Sequence, residues 1–292
     1  MEPTTGIQIN KFISSSGFCS RREADVLVLQ ERVKIGRKTA LPTSRVFPTD
    51  KVYVDDEIIK HNDKAGYYIV FNKPKGVTST TDAKDKTNII SFINHNRRIF
   101  PIGRLDKDSE GLILLTDDGD IVNKILRSEN QNEKEYVVTV DKLLTPDFLK
   151  KMAAGVEILE TVTKPCKTYQ LSAKKFKITL TQGLNRQIRR MCEAMGYDVK
   201  SLVRTRIMNI ELGKLAVGKY RELLPSELKQ LNERLLKSSN EQTEVSLVKK
   251  SKAAKYSKKT PNFKNPVDPY APKKKVIKPM AKKLGRRQTR KD

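Results

Sequence analysis

The stretch at residues 103–119 constrains the fold of this chain most strongly. It joins a glycine-bounded acidic loop around Asp106 to the uninterrupted apolar run at 112–115. A short apolar run bounded by turn residues predicts a strand that is buried on both faces. Such a strand needs packed layers on each side, and the loop before it emerges at the rim of the sheet. The sequence therefore predicts a core sheet that displays a carboxylate at its edge.

The remainder of the larger segment predicts an α+β domain around a mixed, mainly antiparallel sheet. Strand-like apolar patterns occur at residues 68–71, 136–140 and 176–181. Gly119 opens one amphipathic helical pattern, and Thr145 with Pro146 supplies the N-cap and first-turn proline of another. Many short strands with few helices between them are typical of an α+β fold.

The first part of the chain predicts a separate small α/β unit. Ser20 and Glu23 form a capping-box pattern, in which both side chains satisfy amides at the start of a helix that runs to about Gln30. A short helix that ends at Gly17 precedes it, and two strands follow it. The tail is lysine-rich without apolar periodicity, so it is expected to be disordered. The predicted organisation is a unit at 7–59, a linker at 60–66, a larger domain at 67–236 and the tail at 237–292.

The chain is strongly basic, with a formal net charge of +25 at pH 7. Residues 251–292 hold 15 Lys and Arg against 2 acidic residues, a net +13, and residues 1–250 carry the other +12. A charge of this size favours phosphate contacts, so nucleic acid is the expected partner. A solubilising surface is the alternative. An anionic membrane is disfavoured because no amphipathic anchor accompanies the charge.

The sequence predicts a cytoplasmic protein and, by default, a monomer. No run approaches the roughly 18 apolar residues of a membrane helix, and the first residues lack the parts of a signal peptide. Cys19, Cys166 and Cys192 are widely spaced without metal-ligand spacing, and we expect them to be reduced thiols.

A carboxylate displayed on a chain that is expected to bind nucleic acid suggests that Asp106 acts chemically on that polyanion. Two simpler interpretations of Asp106 are also possible. Asp106, Asp108 and Glu110 match the first, third and fifth positions of a calcium-binding EF-hand loop. Asp117, however, stands at the twelfth position in place of glutamate, and Leu114 belongs to the predicted strand. The other alternative is a turn residue that bonds to its own backbone.

A basic helix is predicted after Asn185, which is expected to be its N-cap. Apolar residues at helical spacing define its inward face, and Gly196 closes it. Guanidinium groups on the other face could bind phosphates, or one could pair with a carboxylate. A solvated cationic surface is equally compatible with the pattern. The residues of this outer face are Arg186, Arg189, Arg190 and Glu193.

The N-terminal unit carries the sequence Ser20-Arg21-Arg22-Glu23-Ala24, with Lys11 in the helix before it. With its flanking patterns, it resembles the S4 RNA-binding domain over residues 7–59. The resemblance implies that Lys11, Arg21 and Arg22 contact RNA, and an ordinary charged helix surface is the alternative. The chain departs from that family at Glu31, where a glycine is usual, and at Gly36-Arg37, which replaces an Asn-Gly turn.

Four motifs follow one another in the larger domain. They are Asn72-Lys73-Pro74-Lys75-Gly76, Gly103-Arg104-Leu105-Asp106 with its strand, Lys134-Glu135-Tyr136, and Gly183-Leu184-Asn185-Arg186-Gln187-Ile188-Arg189-Arg190-Met191. In this order they resemble the RsuA/RluB/RluE/RluF family of ribosomal RNA pseudouridine synthases, over about residues 7–230. Residues 100–106, 182–192 and 204–209 look closest to the RluF branch, which modifies 23S ribosomal RNA.

The resemblance implies a role for each matched residue. Asp106 would be the catalytic carboxylate, and Arg189 would pair with it. Tyr136 would stack on a flipped-out base, unless it is a core aromatic. Arg104 would fill the space that the base leaves, or contact a phosphate. Lys73 would serve the loop and the RNA backbone, as would Arg186 and Arg190.

The implied reaction is an isomerisation that requires no cofactor and no metal. The implied partner is 23S ribosomal RNA, with tRNA or a ribosomal assembly intermediate as further possibilities. The alternative is a non-catalytic, S4-type RNA-binding factor in ribosome assembly. The intact set of Asp106, Tyr136 and Arg189 disfavours it, because a purely binding module needs no acid that faces a polyanion.

Overall fold

A computed structural model describes residues 6–60, 66–126 and 132–236. The predicted linker and tail fall largely or wholly outside these ranges. Residues 225–236 are helical. The other helices are α1 (Ile9–Ser15), α2 (Arg21–Leu29), α3 (Ile89–Ile93), α4 (Gly119–Leu126), α5 (Pro146–Ala154) and α6 (Gln187–Ala194). The strands are β1 (Ile7–Gln8), β2 (Val33–Ile35), β3 (Lys38–Thr39), β4 (Arg45–Val46), β5 (Val52–Val54), β6 (Glu57–Ile59), β7 (Tyr68–Lys73), β8 (Phe100–Ile102), β9 (Glu110–Thr116), β10 (Lys134–Val140), β11 (Glu157–Ile158), β12 (Thr161–Val162), β13 (Lys167–Ser172), β14 (Lys175–Leu180), β15 (Val199–Ile207), β16 (Ile210–Glu211) and β17 (Tyr220–Glu222).

The N-terminal unit packs α1 and α2 together with a four-stranded sheet in the order β3-β2-β5-β6. The capping box of α2 is present: the Glu23 amide donates to Ser20 Oγ at 3.2 Å, and the Ser20 amide donates to Glu23 Oε2 at 2.7 Å. Glu31, which follows the helix, has φ +58°. A left-handed residue is therefore required at this position, although the chain supplies glutamate there.

The larger domain is built on a sheet in the order β13-β14-β10-β15-β9-β7-β17, with β8 and β16 attached. Of the pairings along this order, β9 with β15 is parallel and the others are antiparallel. The predicted α+β class with a mixed, mainly antiparallel sheet is confirmed.

The central strand β9 is buried on both faces, as the apolar run predicted. On one face, Leu112 and Leu114 pack with Ile121 and Ile125 of α4 and with the helical residues 225–236. On the other face, Ile113 and Leu115 join a cluster that includes Ile89 at the start of α3. A third cluster packs α5 and α6 against β10 and β14.

The described part of the chain contains no helix with the length and apolar character needed to cross a membrane. Cys19, Cys166 and Cys192 are free thiols, in agreement with the expectation from their spacing.

Candidate active site

The loop of Asp106 joins β8 to β9 and is fixed by bonds on both sides of that residue. Ser79 Oγ donates to the carbonyl of Leu105 at 2.9 Å and accepts from its amide at 3.1 Å. The Ser109 amide donates to the carbonyl of Asp106 at 3.0 Å, and Gly76 donates to Lys107 at 2.9 Å. The Asp106 side chain keeps 33% of its surface exposed. A rigid loop thus presents a solvent-accessible carboxylate.

Lys73 lies beneath this loop, and its predicted contact with RNA is wrong. Its side chain has no exposed surface. The ammonium group donates to the carbonyls of Pro74 and Val77 at 2.8 Å and to that of Lys107 at 3.4 Å. Burial lowers its pKa from 10.5 to about 8, partly offset by the nearby Glu110 and Asp106. Lys73 therefore holds two loops together from inside the fold.

Arg186, and not Arg189, faces the carboxylate of Asp106. Arg186 Nη1 lies 3.9 Å from Asp106 Oδ2 and 3.8 Å from Asp108 Oδ2. Arg189 is 9% exposed and donates to the carbonyls of Asp108 and Val199, each at 3.2 Å. The predicted pairing of Asp106 with Arg189 is thus not the one that the structure contains.

The start of α6 also differs from its prediction. Arg186 occupies the N-cap position in the left-handed conformation, with φ +49°, and it makes no side-chain cap. Asn185 lies outside the helix, where its carbonyl and side-chain oxygen accept from Arg190 at 3.2 and 3.4 Å. Arg190 is therefore engaged with the loop before the helix. The inward face predicted for α6 is correct at Ile188, Met191, Cys192 and Met195.

A cleft of about 620 Å³ opens beside Asp106 and brings four of the predicted site residues together, namely Arg104, Asp106, Tyr136 and Arg186. The Asp106 loop, β10, β15 and residues 180–188 line it. Tyr136 lies on its wall, half-buried and packed against the cores on both sides. It thus combines the predicted position facing the site with the alternative role of a packed aromatic. Arg104 is exposed and also borders the cleft.

Two cleft residues carry no assigned role in the sequence analysis. Arg204, in β15, is 4% exposed; its Nε donates to the carbonyl of Leu112 at 2.7 Å, while Nη2 has no hydrogen-bond partner among the described residues. Lys134 lines the same cleft, and its pKa is lowered by burial and then by Arg204. Each lies in a motif or segment that carries the family resemblance, which was the available signal.

Polar atoms without partners collect around the Asp106 loop. Among the described residues these include Ser109 Oγ and Arg189 Nε in addition to Arg204 Nη2. A buried donor without an acceptor is costly, so such groups concentrate where a ligand supplies the missing partner. The cleft is therefore polar enough at its floor to orient a substrate.

The calcium-loop interpretation finds no structural support. Leu114 points into the core within β9, and β8 stands where an entering helix would be required. Within the ranges that the structure describes, no group of three or more His, Cys, Asp or Glu side chains could hold a metal ion.

The N-terminal basic residues divide into free and engaged groups. Arg21 and Arg22 are exposed in the first turn of α2. Lys11 Nζ instead lies 2.7 Å from Asp120 Oδ1 at the start of α4, which ties α1 to the larger domain. The pair is largely exposed, so its contribution to stability is small.

Comparison with known proteins identifies a family model and several relatives that are pseudouridine synthases. A family model described as RNA pseudouridylate synthase matches residues 67–194. The chain is 49% identical over 268 residues to the dual-specificity RNA pseudouridine synthase RluF of Escherichia coli strain K12, which covers 91% of this chain and 90% of that protein. It is 35% identical to the ribosomal large subunit pseudouridine synthase B of Bacillus subtilis strain 168, over 77% of this chain and 95% of that one.

Among solved structures, one described as the crystal structure of pseudouridylate synthase is similar with a TM-score of 0.57 at 29% identity. The similarity covers 77% of this chain and 99% of that one. Each of these relatives is named for synthase activity, so the alternative of a non-catalytic assembly factor gains no support from them. The four motifs between residues 72 and 191 all lie within the matched segment.

Proposed function

Because the chain belongs to the RNA pseudouridylate synthase family, we propose that this isomerase converts a uridine of 23S ribosomal RNA to pseudouridine with Asp106 as the catalytic carboxylate. One observation carries the assignment of Asp106. Its carboxylate is accessible at the rim of the cleft, on a loop that Ser79 and Lys73 hold from below. A fixed, accessible acid beside a cavity is what a reaction at the sugar or base of one nucleotide requires.

The reaction rearranges one nucleoside and leaves its composition unchanged. The C1′–N1 bond breaks, the uracil turns, and C5 bonds to C1′; the C5 proton leaves and N1 gains one. No electrons enter or leave, so the chemistry calls for no oxidant or reductant. Asp106 acts either as a nucleophile or as the base that removes a proton from C2′. Each role requires its carboxylate beside the sugar or the base of the reacting nucleotide.

A nucleotide must leave its base stack to reach the carboxylate. The cleft volume of about 620 Å³ is in the range that accommodates a small ligand. Tyr136 lies on the wall where an everted uracil would stack, and the exposed Arg104 stands at the rim, where it would occupy the vacated position in the RNA. Arg204 and Lys134 supply donors at the floor of the cleft.

Arg186 and Arg189 have different roles near Asp106. Arg186 balances the charge of Asp106 and stands close enough to share an incoming phosphate. Arg189 acts indirectly, because its two bonds hold the Asp108 carbonyl and the β15 backbone. It is therefore a positioning residue in this proposal.

The N-terminal unit would bind RNA as an S4-like domain. Arg21 and Arg22, exposed in the first turn of α2, are its candidate phosphate contacts. The relative in Escherichia coli is named for dual specificity, so a second RNA substrate such as tRNA belongs to the proposal. We further propose a cytoplasmic monomer that acts on free ribosomal RNA or on an assembly intermediate.

The decisive experiment compares wild type with Asp106→Asn on 23S ribosomal RNA, with pseudouridine mapped chemically. Asp106→Asn should abolish product while RNA affinity stays within a few-fold. Asp108→Asn is the matched control, because Asp108 is 71% exposed and lies equally close to Arg186. Normal turnover by Asp106→Asn would refute the catalytic assignment. Parallel reactions on tRNA and on assembly intermediates identify the substrate, and a wild type inactive on 23S RNA would refute that part.

A further inference from the structure

A second open pocket lies away from the cleft and has no part in the proposed reaction. Its volume is about 440 Å³. Tyr67 directly precedes β7 and Tyr220 begins β17, the two outermost strands at one edge of the main sheet, and His95 and Arg97 come from the loop after α3. Glu222 completes one side.

The rings of this pocket are arranged as a stacking platform. The centroids of Tyr67 and His95 are 5.2 Å apart with the planes at 33°, and those of His95 and Tyr220 are 5.8 Å apart, edge to face. Arg97 lies 4.5 Å above the Tyr67 ring. Tyr220 retains 43% of its surface exposed, so its ring is accessible to a ligand.

Hydrogen bonds hold the platform in place. Tyr67 Oη donates to Glu222 Oε1 at 2.9 Å, and the Tyr67 amide donates to Asp117 at 2.7 Å. The backbone amide of Arg97 donates to Nδ1 of His95 at 3.0 Å. The Tyr67 and His95 rings are therefore held in position before any ligand arrives, which lowers the entropic cost of binding.

Arg98, which follows the pocket residue Arg97 in the chain, lies near the start of α2. The pKa of Glu23 is lowered mainly by its hydrogen bonds with Ser20 and additionally by Arg98, so Arg98 lies close to the first turn of α2. Arg21 Nη2 also reaches the neighbourhood of Gly119, which follows β9. Arg98 is therefore a candidate contact for an RNA backbone that reaches both α2 and the pocket.

The pocket and the catalytic cleft lie at opposite ends of β9. Asp106 precedes this strand, whereas Asp117, whose side chain holds Tyr67, follows it. A seven-residue strand spans about 23 Å. The pocket is therefore too distant to contact the nucleotide at Asp106 and would meet another part of the same RNA.

We propose that Tyr67, His95 and Tyr220 bind an unpaired nucleobase of the RNA substrate, outside the nucleotide that reacts, while Arg97 and Arg98 contact its backbone. The proposal rests on the proposed RNA-modifying function. Aromatic rings beside guanidinium groups are the chemistry that takes up single unstacked bases in RNA.

The test uses the full chain and a stem-loop RNA that contains the modified uridine and one bulged base, replaced by 2-aminopurine. Stacking quenches the fluorescence of this base. Wild type should quench it, and the double variant His95→Ala with Tyr220→Ala should not. The same variant should bind the bulged RNA about 5- to 150-fold more weakly, and bind the RNA without a bulge normally.

Tyr169→Ala is the matched control, because Tyr169 is an exposed strand tyrosine at the opposite edge of the sheet. It should keep both quenching and affinity, and Tyr220→Phe should keep most of the quenching because the ring remains. Thermal melts confirm that the variants fold.

The outcomes separate this proposal from the function itself. At subsaturating RNA, the double variant should form pseudouridine more slowly in proportion to its lost affinity, whereas Tyr169→Ala should react at the wild-type rate. Unchanged quenching and affinity in the double variant would overturn the pocket assignment while leaving Asp106 untouched. The pocket assignment would also be overturned if the double variant bound all RNAs normally and lost only its binding to a protein partner. If Asp106→Asn were active and the double variant still failed to quench, the pocket would stand and the catalytic assignment would fall.

Discussion

Gly111 in β9 lies opposite Arg204 in β15, at the parallel junction of the main sheet, and the Arg204 backbone occupies the space of a side chain at position 111. Gly111 has φ +105°. This contact has two consequences for the geometry of the site. It brings the strand that follows Asp106 against the strand beside Tyr136, and it sets the Arg204 guanidinium at the floor of the cleft.

Gly111→Ala should therefore destabilise the protein by about 3 kcal/mol or more, since the new methyl group collides with backbone and the φ value is unfavourable. Urea unfolding measures the change. Gly183→Ala is the control, because no atom lies within 4 Å of a methyl group at that position. Equal stabilities for the two variants would contradict the close approach.

Arg186→Ala should mainly lower activity, whereas Arg189→Ala should mainly lower stability. The Arg186 pair is partly exposed, so its loss should change the free energy of unfolding by at most about 1 kcal/mol while it slows pseudouridine formation at saturating RNA. Arg189→Ala removes a buried guanidinium and leaves two partly buried carbonyls without their donor, so it should cost about 2–4 kcal/mol. Urea titrations and single-turnover rates distinguish the two. An Arg186 variant that is unstable, or fully active, would reverse the assignment.

Lys73 should make stability depend on pH in the alkaline range. Its pKa is about 8 in the folded chain and 10.5 without burial. Between these values the unfolded chain binds more protons, so the stability contributed by Lys73 rises as the pH increases through this window, by about 3 kcal/mol at most. Below pH 8 the desolvation cost is present in full.

Urea unfolding of wild type and Lys73→Met at pH 7 and pH 10 tests this dependence. Wild type should gain stability relative to Lys73→Met at the higher pH. At pH 7, Lys73→Met should still be less stable, because three carbonyls lose their donor. Lys75→Met, on the exposed side of the same loop, should match wild type at both values. A difference that is constant with pH would refute the lowered pKa.

Arg21 and Arg22 should contribute to the salt dependence of RNA binding. If each contacts one phosphate, the double alanine variant should reduce the slope of log K against log salt by about 1.4–1.8. Lys174→Ala with Lys175→Ala, in the turn after β13 and at the start of β14, removes the same charge elsewhere and should leave the slope unchanged. Filter binding at several salt concentrations measures both, and an unaltered slope in the Arg21 and Arg22 variant would remove α2 from the RNA surface.

The sequence determined those features that depend on neighbours along the chain. The capping box of Ser20 and Glu23, the N-cap at Thr145 and the buried strand β9 all follow from local hydrogen bonding or from apolar periodicity, and the structure contains each. The motif around Asp106 likewise predicted an accessible carboxylate at the rim of the sheet, because a glycine-bounded loop before a buried strand has few other placements.

Tertiary structure decided what depends on contacts between distant segments. Whether Lys73 faces solvent is set by the loop at Lys107, and whether Arg186 or Arg189 faces Asp106 is set by the rotation of α6 against the sheet. The pocket of Tyr67, His95 and Tyr220 joins three segments that share no local pattern. A long cationic side chain can lie along either side of an amphipathic helix at little local cost, so only the packed partner fixes its direction.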